Sequence, residues 1–239
     1  MQKVALIIAS AYLLYFMTTV MYKTNNEQMF TPEEVVTFEN WNRDSNLNYN
    51  CPAEKLYRLG VFIENLRTIK KHNKTGSSYK LGLNQFATMT KEEFGVKMLG
   101  AKNPTEGDRV KEKFFGDLPA SFDWRDHGAV TPVKSQELCG SCWAFSATGA
   151  LESAWFQKTG NLQGFSESQL NDCSWLYGNF GCNGGYQTKA FNYYIDKGAI
   201  LESEYPYVPK DQKCRYKEFT PTAKITGWTR VATGQENMI

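Results

Sequence analysis

The sequence predicts a helix-rich α+β chain built in two parts, and three observations carry that expectation. Glu54, Arg58, Phe62, Asn65, Ile69 and Asn73 follow at spacings of 4, 4, 3, 4 and 4, a mean of 3.8, which places six side chains on one face of a long helix. From Cys142 to Lys158 the chain is apolar nearly all round, with Trp143, Ala144, Phe145, Ala147, Ala150, Leu151, Ala154 and Trp155, the pattern of a buried helix. Between the two, Gly100 to Asp117 is polar and carries Gly and Pro, as an exposed linker at a domain boundary does.

The composition sets the class. A chain of 239 residues with 41% hydrophobic and 22% charged side chains is long enough for one or two folded domains. The net charge is +2; residues 1–117 carry 16 basic and 13 acidic side chains, residues 118–239 carry 11 and 12. Neither half has the basic excess of a nucleic-acid binder, so no nucleic-acid partner is expected.

The elements follow in order. Lys3 and the apolar run Val4 to Val20 read as a secretory signal over residues 1–22, or as a single anchoring helix at the lower edge of a membrane span. Either directs the rest into an oxidising compartment, and no other stretch is long and apolar enough to span a bilayer. Thr31-Pro32-Glu33-Glu34 is a capping box with Pro at the first helical position, followed by Val35, Phe38 and Trp41 at helical spacing. The long helix opens near Pro52, with Leu56, Leu59, Ile63 and Leu66 as an apolar stripe beside the six-residue one. Tyr79 to Phe86 reads as a short strand, and Thr90 to Glu93 as a second capping box opening a helix with Phe94 and Leu99. Gly160 is placed to end the apolar helix.

Six cysteines add chemistry. Cys51 stands alone in the first half, whereas Cys139, Cys142, Cys173, Cys182 and Cys214 lie in the second. In a secreted chain, five imply two disulfides and one free thiol. Cys142 opens the apolar helix, where unpaired backbone N–H groups and the helix dipole favour negative charge on sulfur, as a nucleophile requires. Two other readings of Cys139-x-x-Cys142 are a redox pair and a zinc site. No βαβ pattern surrounds the first, and Cys173 and Cys182 lack ligand spacing for the second.

The run Gln136 to Trp143, with Cys139-Gly140-Ser141-Cys142-Trp143 at its centre, resembles the nucleophile motif of papain-like cysteine proteases. Leu118 to Arg125 resembles the start of the mature enzyme in that family, and Cys182-Asn183-Gly184-Gly185 its substrate-cleft strand. The Glu54–Asn73 stripe matches the ERFNIN motif of cathepsin L-type propeptides at every position. Gly82-x-Asn84-x-Phe86 matches the adjoining motif.

The resemblance implies a helical inhibitory propeptide over 23–99, a processing segment over 100–117 and a peptidase domain over 118–239. That domain would be the mainly helical left half of a papain-like two-domain fold, its β-barrel half truncated after a first strand from Ala223 to Val231. Cys142 would be the nucleophile, with the Gln136 side chain and the Cys142 N–H forming the oxyanion hole. Cys139 would pair with Cys182, and Cys173 with Cys214. Gly140, Gly184 and Gly185 would line the substrate path; Gly185 would bind extended peptide through its backbone, where a side chain would obstruct. Tyr186 and Gln187 would line the pocket for the second residue before the scissile bond. No cofactor or metal is implied. The partners are peptide and protein substrates, with the propeptide as intramolecular inhibitor and no stable membrane association after signal removal. The setting is the secretory pathway, ending in a lysosome or vacuole or outside the cell.

Three features depart from the family pattern. Glu137 stands where Gly is usual, which carries strain if the position needs positive φ. Thr88 replaces the aspartate that ends the second propeptide motif, which removes one titrating carboxylate from acid-triggered release. The imidazole and asparagine that serve the thiolate are expected roughly 130–150 residues after it, whereas 97 residues follow Cys142 here. His72 on the propeptide helix and His127 near the mature start read as ordinary surface histidines. The sequence is therefore expected to be an incomplete peptidase zymogen, with a non-catalytic propeptide-type inhibitor or an inactive truncated product as the alternative. Asn73-Lys74-Thr75 is a glycosylation sequon.

Overall fold

The computed structural model describes residues 30–45, 47–102, 109–110 and 119–231. The chain divides into two compact units, residues 1–91 and 92–239. The expected signal segment, most of the expected linker and Leu118 lie outside the described residues.

In the first unit, helix α1 (Pro32–Asp44) opens on the capping box: the Thr31 hydroxyl accepts from the Glu34 N–H, and the Glu34 carboxylate accepts from the Thr31 N–H. Helix α2 (Pro52–Asn73) has no side-chain cap at Cys51; the Glu54 carboxylate instead accepts from the Asn50 N–H at 2.9 Å. Glu39 pairs with Lys55, Glu34 with Arg67 and Glu33 with Lys70, so the two helices run antiparallel. Between them lie Phe38, Leu59, Phe62, Ile63, Leu66 and Ala87, with the Phe38 and Phe62 rings in edge contact at 5.3 Å. Leu56 does not join this core and is 44% exposed; Lys55 packs over the Phe38 ring.

Three polar members of the six-residue stripe grip a loop. Arg58 donates to the Thr88 carbonyl at 3.0 Å, and Asn65 donates to the carbonyls of Ala87 and Met89 at 2.9 and 3.1 Å. Asn73 donates to the Leu81 carbonyl and accepts from the Leu81 N–H, each at 2.8 Å. The strand expected from Tyr79 to Phe86 does not form. Helix side chains, rather than a neighbouring strand, satisfy this backbone. Asn84 then turns it, its side-chain oxygen accepting from the Phe86 N–H and its carbonyl from the Ala87 N–H. The same contacts occupy the amide of the Asn73 sequon. Nothing near Gly82 would meet a side chain there, so packing does not explain that glycine.

The second unit contains most of α3 (Lys91–Met98) and is organised on α4 (Cys142–Thr159), which Gly160 ends at φ 72°. Trp143, Ala144, Ala147 and Leu151 pack against Leu170 of α5 (Glu167–Cys173) and Ala190, Tyr193 and Tyr194 of α6 (Gln187–Lys197). The buried Gln169 side chain joins the layers, donating to the Gly198 carbonyl and accepting from the Ile200 N–H.

Helix α4 is not buried all round. Ser146, Ala150 and Ala154 form an exposed row, which small side chains permit with little apolar exposure. Glu152, on the covered side, is buried and satisfied by Thr131, Lys134 and the Phe165 N–H at 2.6, 2.6 and 2.9 Å.

Strand content is small. Strands β1 (Arg109–Val110) and β2 (Arg230–Val231) pair in parallel. The expected strand from Ala223 to Val231 is interrupted, because Ala223 bridges Ala199 alone and only its last two residues join β1. Cys182 to Gly185 is likewise no continuous strand: residues Gly181–Asn183 form a 3-10 turn, and Gly185 forms a single bridge.

Candidate active site

The segment before α4 is held at four points. Disulfides join Cys139 to Cys182 and Cys173 to Cys214, leaving Cys142 and the exposed Cys51 as free thiols among the described residues. The Gly140 N–H donates to the Cys182 carbonyl at 3.1 Å, and a Cβ on Gly140 would collide with that oxygen. Asn171 donates to the Cys139 sulfur. Lys134, on the approach to Gln136, is fixed between Glu152 and Glu167 at 2.6 and 2.7 Å.

Both carboxylates are about 1% exposed. Burial raises the Glu167 carboxyl to about 7, against the opposing pull of Lys134. Beside this cluster lies a cavity of about 220 Å³ lined by Thr131, Pro132, Lys134, Phe145, Gly149, Glu152 and Glu167; neither Cys142 nor Gln136 lines it.

Gln136 is turned by its neighbour. Glu137 has φ 50°, the one positive φ on a non-glycine residue among those described. This is the strain expected from a side chain where the family has glycine. The Gln136 amide donates to the Met98 carbonyl at 3.0 Å and to the Cys139 carbonyl at 2.7 Å.

The segment carrying Met98 continues across the glycines. The Gly185 N–H donates to the Gly100 carbonyl and the Lys102 N–H to the Gly185 carbonyl, both at 2.9 Å, in a parallel bridge at Ala101. A Cβ on Gly100 would collide with the Gly140 carbonyl, and one on Gly184 (φ 101°) with the Gly100 carbonyl. At Gly185 the obstacle is internal: its Cβ would stand 2.6 Å from Asn179 Oδ1 and 2.7 Å from the Trp143 ring. Gly185 thus carries the backbone pairing, while the Cβ that would obstruct the segment is that of Gly184 and the Cβ of Gly185 is excluded by the core beneath it.

Tyr186 and Gln187 lie where α6 begins, and both are half-buried. The Lys102 ammonium stands 4.5 Å from the Phe180 ring centre and 5.9 Å from that of Tyr186. Sequence reasoning missed Phe180, and also Asn179, whose side chain accepts from the Tyr186 N–H at 2.8 Å and donates to Ser174. No motif marks either; they are recognisable only once the chain returns past Gly185.

The comparisons with known proteins agree with this geometry. Residues 118–239 match the papain family cysteine protease, and residues 38–94 the cathepsin propeptide inhibitor domain. The chain is 46% identical to cathepsin L2 of Homo sapiens over 193 residues, covering 78% of this chain and 58% of that protein. It is 45% identical to digestive cysteine proteinase 3 of Homarus americanus over 195 residues, covering 79% and 61%. The chain therefore spans about three fifths of the length of these relatives. Among solved structures, the digestive procathepsin L2 proteinase from Tenebrio molitor larval midgut superposes with a TM-score of 0.78 at 35% identity, covering 86% of this chain and 70% of that one. The recombinant stem bromelain precursor gives 0.73 at 36%, covering 82% and 65%. With the half-buried free thiol at the head of α4, the glutamine amide holding a main-chain carbonyl and the matched propeptide pattern, the chain belongs to the papain family of cysteine proteases.

Proposed function

We propose that this chain is the propeptide and the nucleophile-bearing part of a cysteine endopeptidase zymogen. The observation that carries the reading is the Met98 carbonyl held by the Gln136 amide, while Gly185 is paired through its backbone on both sides with Gly100 and Lys102. The donor that would polarise a scissile carbonyl and the backbone that would bind extended peptide are both occupied by the chain's own main chain. An inhibitory segment works by such occupation.

Once that segment is removed, a peptide takes its place. Cys142 sulfur attacks the peptide carbonyl carbon, and the C–O π electrons move to oxygen. Gln136 and the Cys142 N–H stabilise that oxyanion. Collapse expels the amine, which leaves with the proton the thiol gave up, and forms a thioester; water then hydrolyses it to the acid and returns a proton to the thiol. The reading assigns the base to neither histidine: His72 rests against Tyr79, and His127 stacks on Phe122, each with ring centres 4.5 Å apart.

Passage through the secretory pathway, to a lysosome or vacuole or outside the cell, is part of the same reading. The two disulfides and the apolar stretch near the N-terminus support it. No helix among the described residues is long and apolar enough to cross a membrane.

The test is peptide hydrolysis by the full-length product after removal of residues 1–117, with Cys142→Ser as control. Hydrolysis lost in the variant supports the reading. No hydrolysis, together with no alkylation of Cys142 by an epoxide or iodoacetamide, refutes it.

A further inference from the structure

Serine before the first turn of a helix ordinarily turns its hydroxyl onto the exposed N–H groups of that turn. Ser141 stands at that position on α4 and does not do so. Its backbone, at φ −99° and ψ 12°, lies outside the extended region that capping residues adopt. Its hydroxyl lies 2.8 Å from the hydroxyl of Tyr207, 66 positions further along the chain. Its one other partner among the described residues, the Cys139 carbonyl, is at 3.4 Å.

The direction of this contact follows from counting protons. Tyr207 has one hydroxyl hydrogen and donates it to the Gln136 main-chain carbonyl at 2.9 Å. Ser141 is therefore the donor to Tyr207, and a short relay runs from the Ser141 hydroxyl through Tyr207 to the Gln136 carbonyl. The residue before Cys142 and the residue bearing the oxyanion amide are tied to one phenol.

Tyr207 itself is anchored on both sides. Its N–H donates to Glu202 Oε1 at 2.7 Å, and the next N–H, that of Val208, donates to Ser168 at 2.9 Å. Its ring meets Phe145 of α4 edge-on at 4.8 Å. Burial pushes its hydroxyl up to about 12, so it remains a neutral donor wherever proteins are folded.

We propose that Tyr207 is a positioning residue of the active site: its hydroxyl draws the Ser141 hydroxyl away from the N-terminus of α4 and ties it to the Gln136 main chain. The Ala144 N–H is already given to the Ser141 carbonyl at 2.8 Å, so the Trp143 N–H is the capping donor thereby left for negative charge on the thiolate. The proposal deepens the endopeptidase reading and rests on Cys142 and Gln136 having the roles given there. Without the phenol hydroxyl, the Ser141 hydroxyl is free to turn onto the Trp143 N–H and competes there with the thiolate.

The test is site-specific alkylation of the full 239-residue chain by iodoacetamide, followed by mass spectrometry between about pH 5 and pH 8. Cys51, free and exposed, is the internal reference in the same sample. In Tyr207→Phe the rate ratio of Cys142 to Cys51 should fall by about threefold or more, the size of a helix-terminus effect. The double variant Tyr207→Phe with Ser141→Ala should recover it, because the competing hydroxyl is gone. A smaller fall, or a fall that the double variant does not recover, overturns the proposal; the second result would indicate lost packing.

If Tyr207→Phe does not fold, Ser141→Ala alone decides. A ratio maintained or raised supports the proposal, and a threefold loss overturns it. The endopeptidase reading fails separately, if the full-length product freed of residues 1–117 neither hydrolyses peptides nor is alkylated at Cys142.

Discussion

The Met98 carbonyl oxygen lies 3.0 Å from the Gln136 side-chain amide, and the main chain beyond it is paired to Gly185 on both sides. Three hydrogen bonds thus hold residues 98–102 along the glycines, and the fit depends on Gly100 having no side chain. Gly100→Ala should place a methyl group against the Gly140 carbonyl and lift the segment away. The Gly185 and Lys102 amides should then exchange with solvent about tenfold faster or more, as expected from losing one to two net hydrogen bonds. Hydrogen-exchange mass spectrometry measures this.

Glu137 adopts φ 50°, a conformation that costs a side-chain-bearing residue about 1 kcal/mol. Glu137→Gly should relieve part of it and stabilise the second unit by about 0.5–1 kcal/mol. Denaturant midpoints of the two proteins test the sign; a lower midpoint in the variant would contradict it.

Glu34 is 7% exposed and paired at both oxygens with Arg67, whose hydrogen bonds hold its carboxyl down to about 2. The folded value lies below the unfolded one. The stabilisation is therefore present above about 4.5 and is lost as pH falls toward 2. Arg67→Met should destabilise the first unit by about 2–3 kcal/mol at neutral pH, with the difference shrinking as the medium approaches pH 2. Acid titration of helicity in both proteins checks this.

Glu167 behaves in the opposite sense. Burial raises its carboxyl from 4.5 to about 7, so its contribution to stability is full below about 4.5 and lost as pH rises through about 7. The second unit should melt at higher temperature near pH 5 than near pH 8, by at most about 3 kcal/mol in stability from this group. Glu167→Gln should flatten that dependence. A profile unchanged by the substitution would show that the group does not titrate there.

Gly185→Ala should destabilise the second unit by about 2–4 kcal/mol, because its methyl group has no room beside the Trp143 ring and Asn179. Thermal unfolding measures it. A loss below about 0.5 kcal/mol would show that the ring can move.

Much of this was legible along the chain, and for identifiable reasons. The Thr31 box, the Pro52–Asn73 helix and the Gly160 stop depend on neighbours within about four residues, the range over which caps and helical period operate. The five cysteines of the second half implied one free thiol, and Cys142 is free. Tyr79 to Phe86 was misread because alternation cannot tell whether a strand partner or helix side chains such as Asn73 will satisfy the backbone. The all-round burial expected of α4 failed at Ala150 and Ala154, which line up with the polar Ser146, since alanine suits either environment.

The sequence by itself determined the local helices, the need for a free thiol and the family, because each resides in short-range spacing, in a count or in motifs that stand whole in the chain. Only the tertiary structure decided which groups surround that chemistry. It brought the Met98 carbonyl to Gln136 across 38 positions and the Tyr207 hydroxyl to Ser141 across 66. It also showed that a side chain would meet the Gly100 carbonyl at Gly184 and the core at Gly185. These relationships depend on close packing between segments far apart in sequence, where a single Cβ or hydroxyl decides the contact and no local period records it.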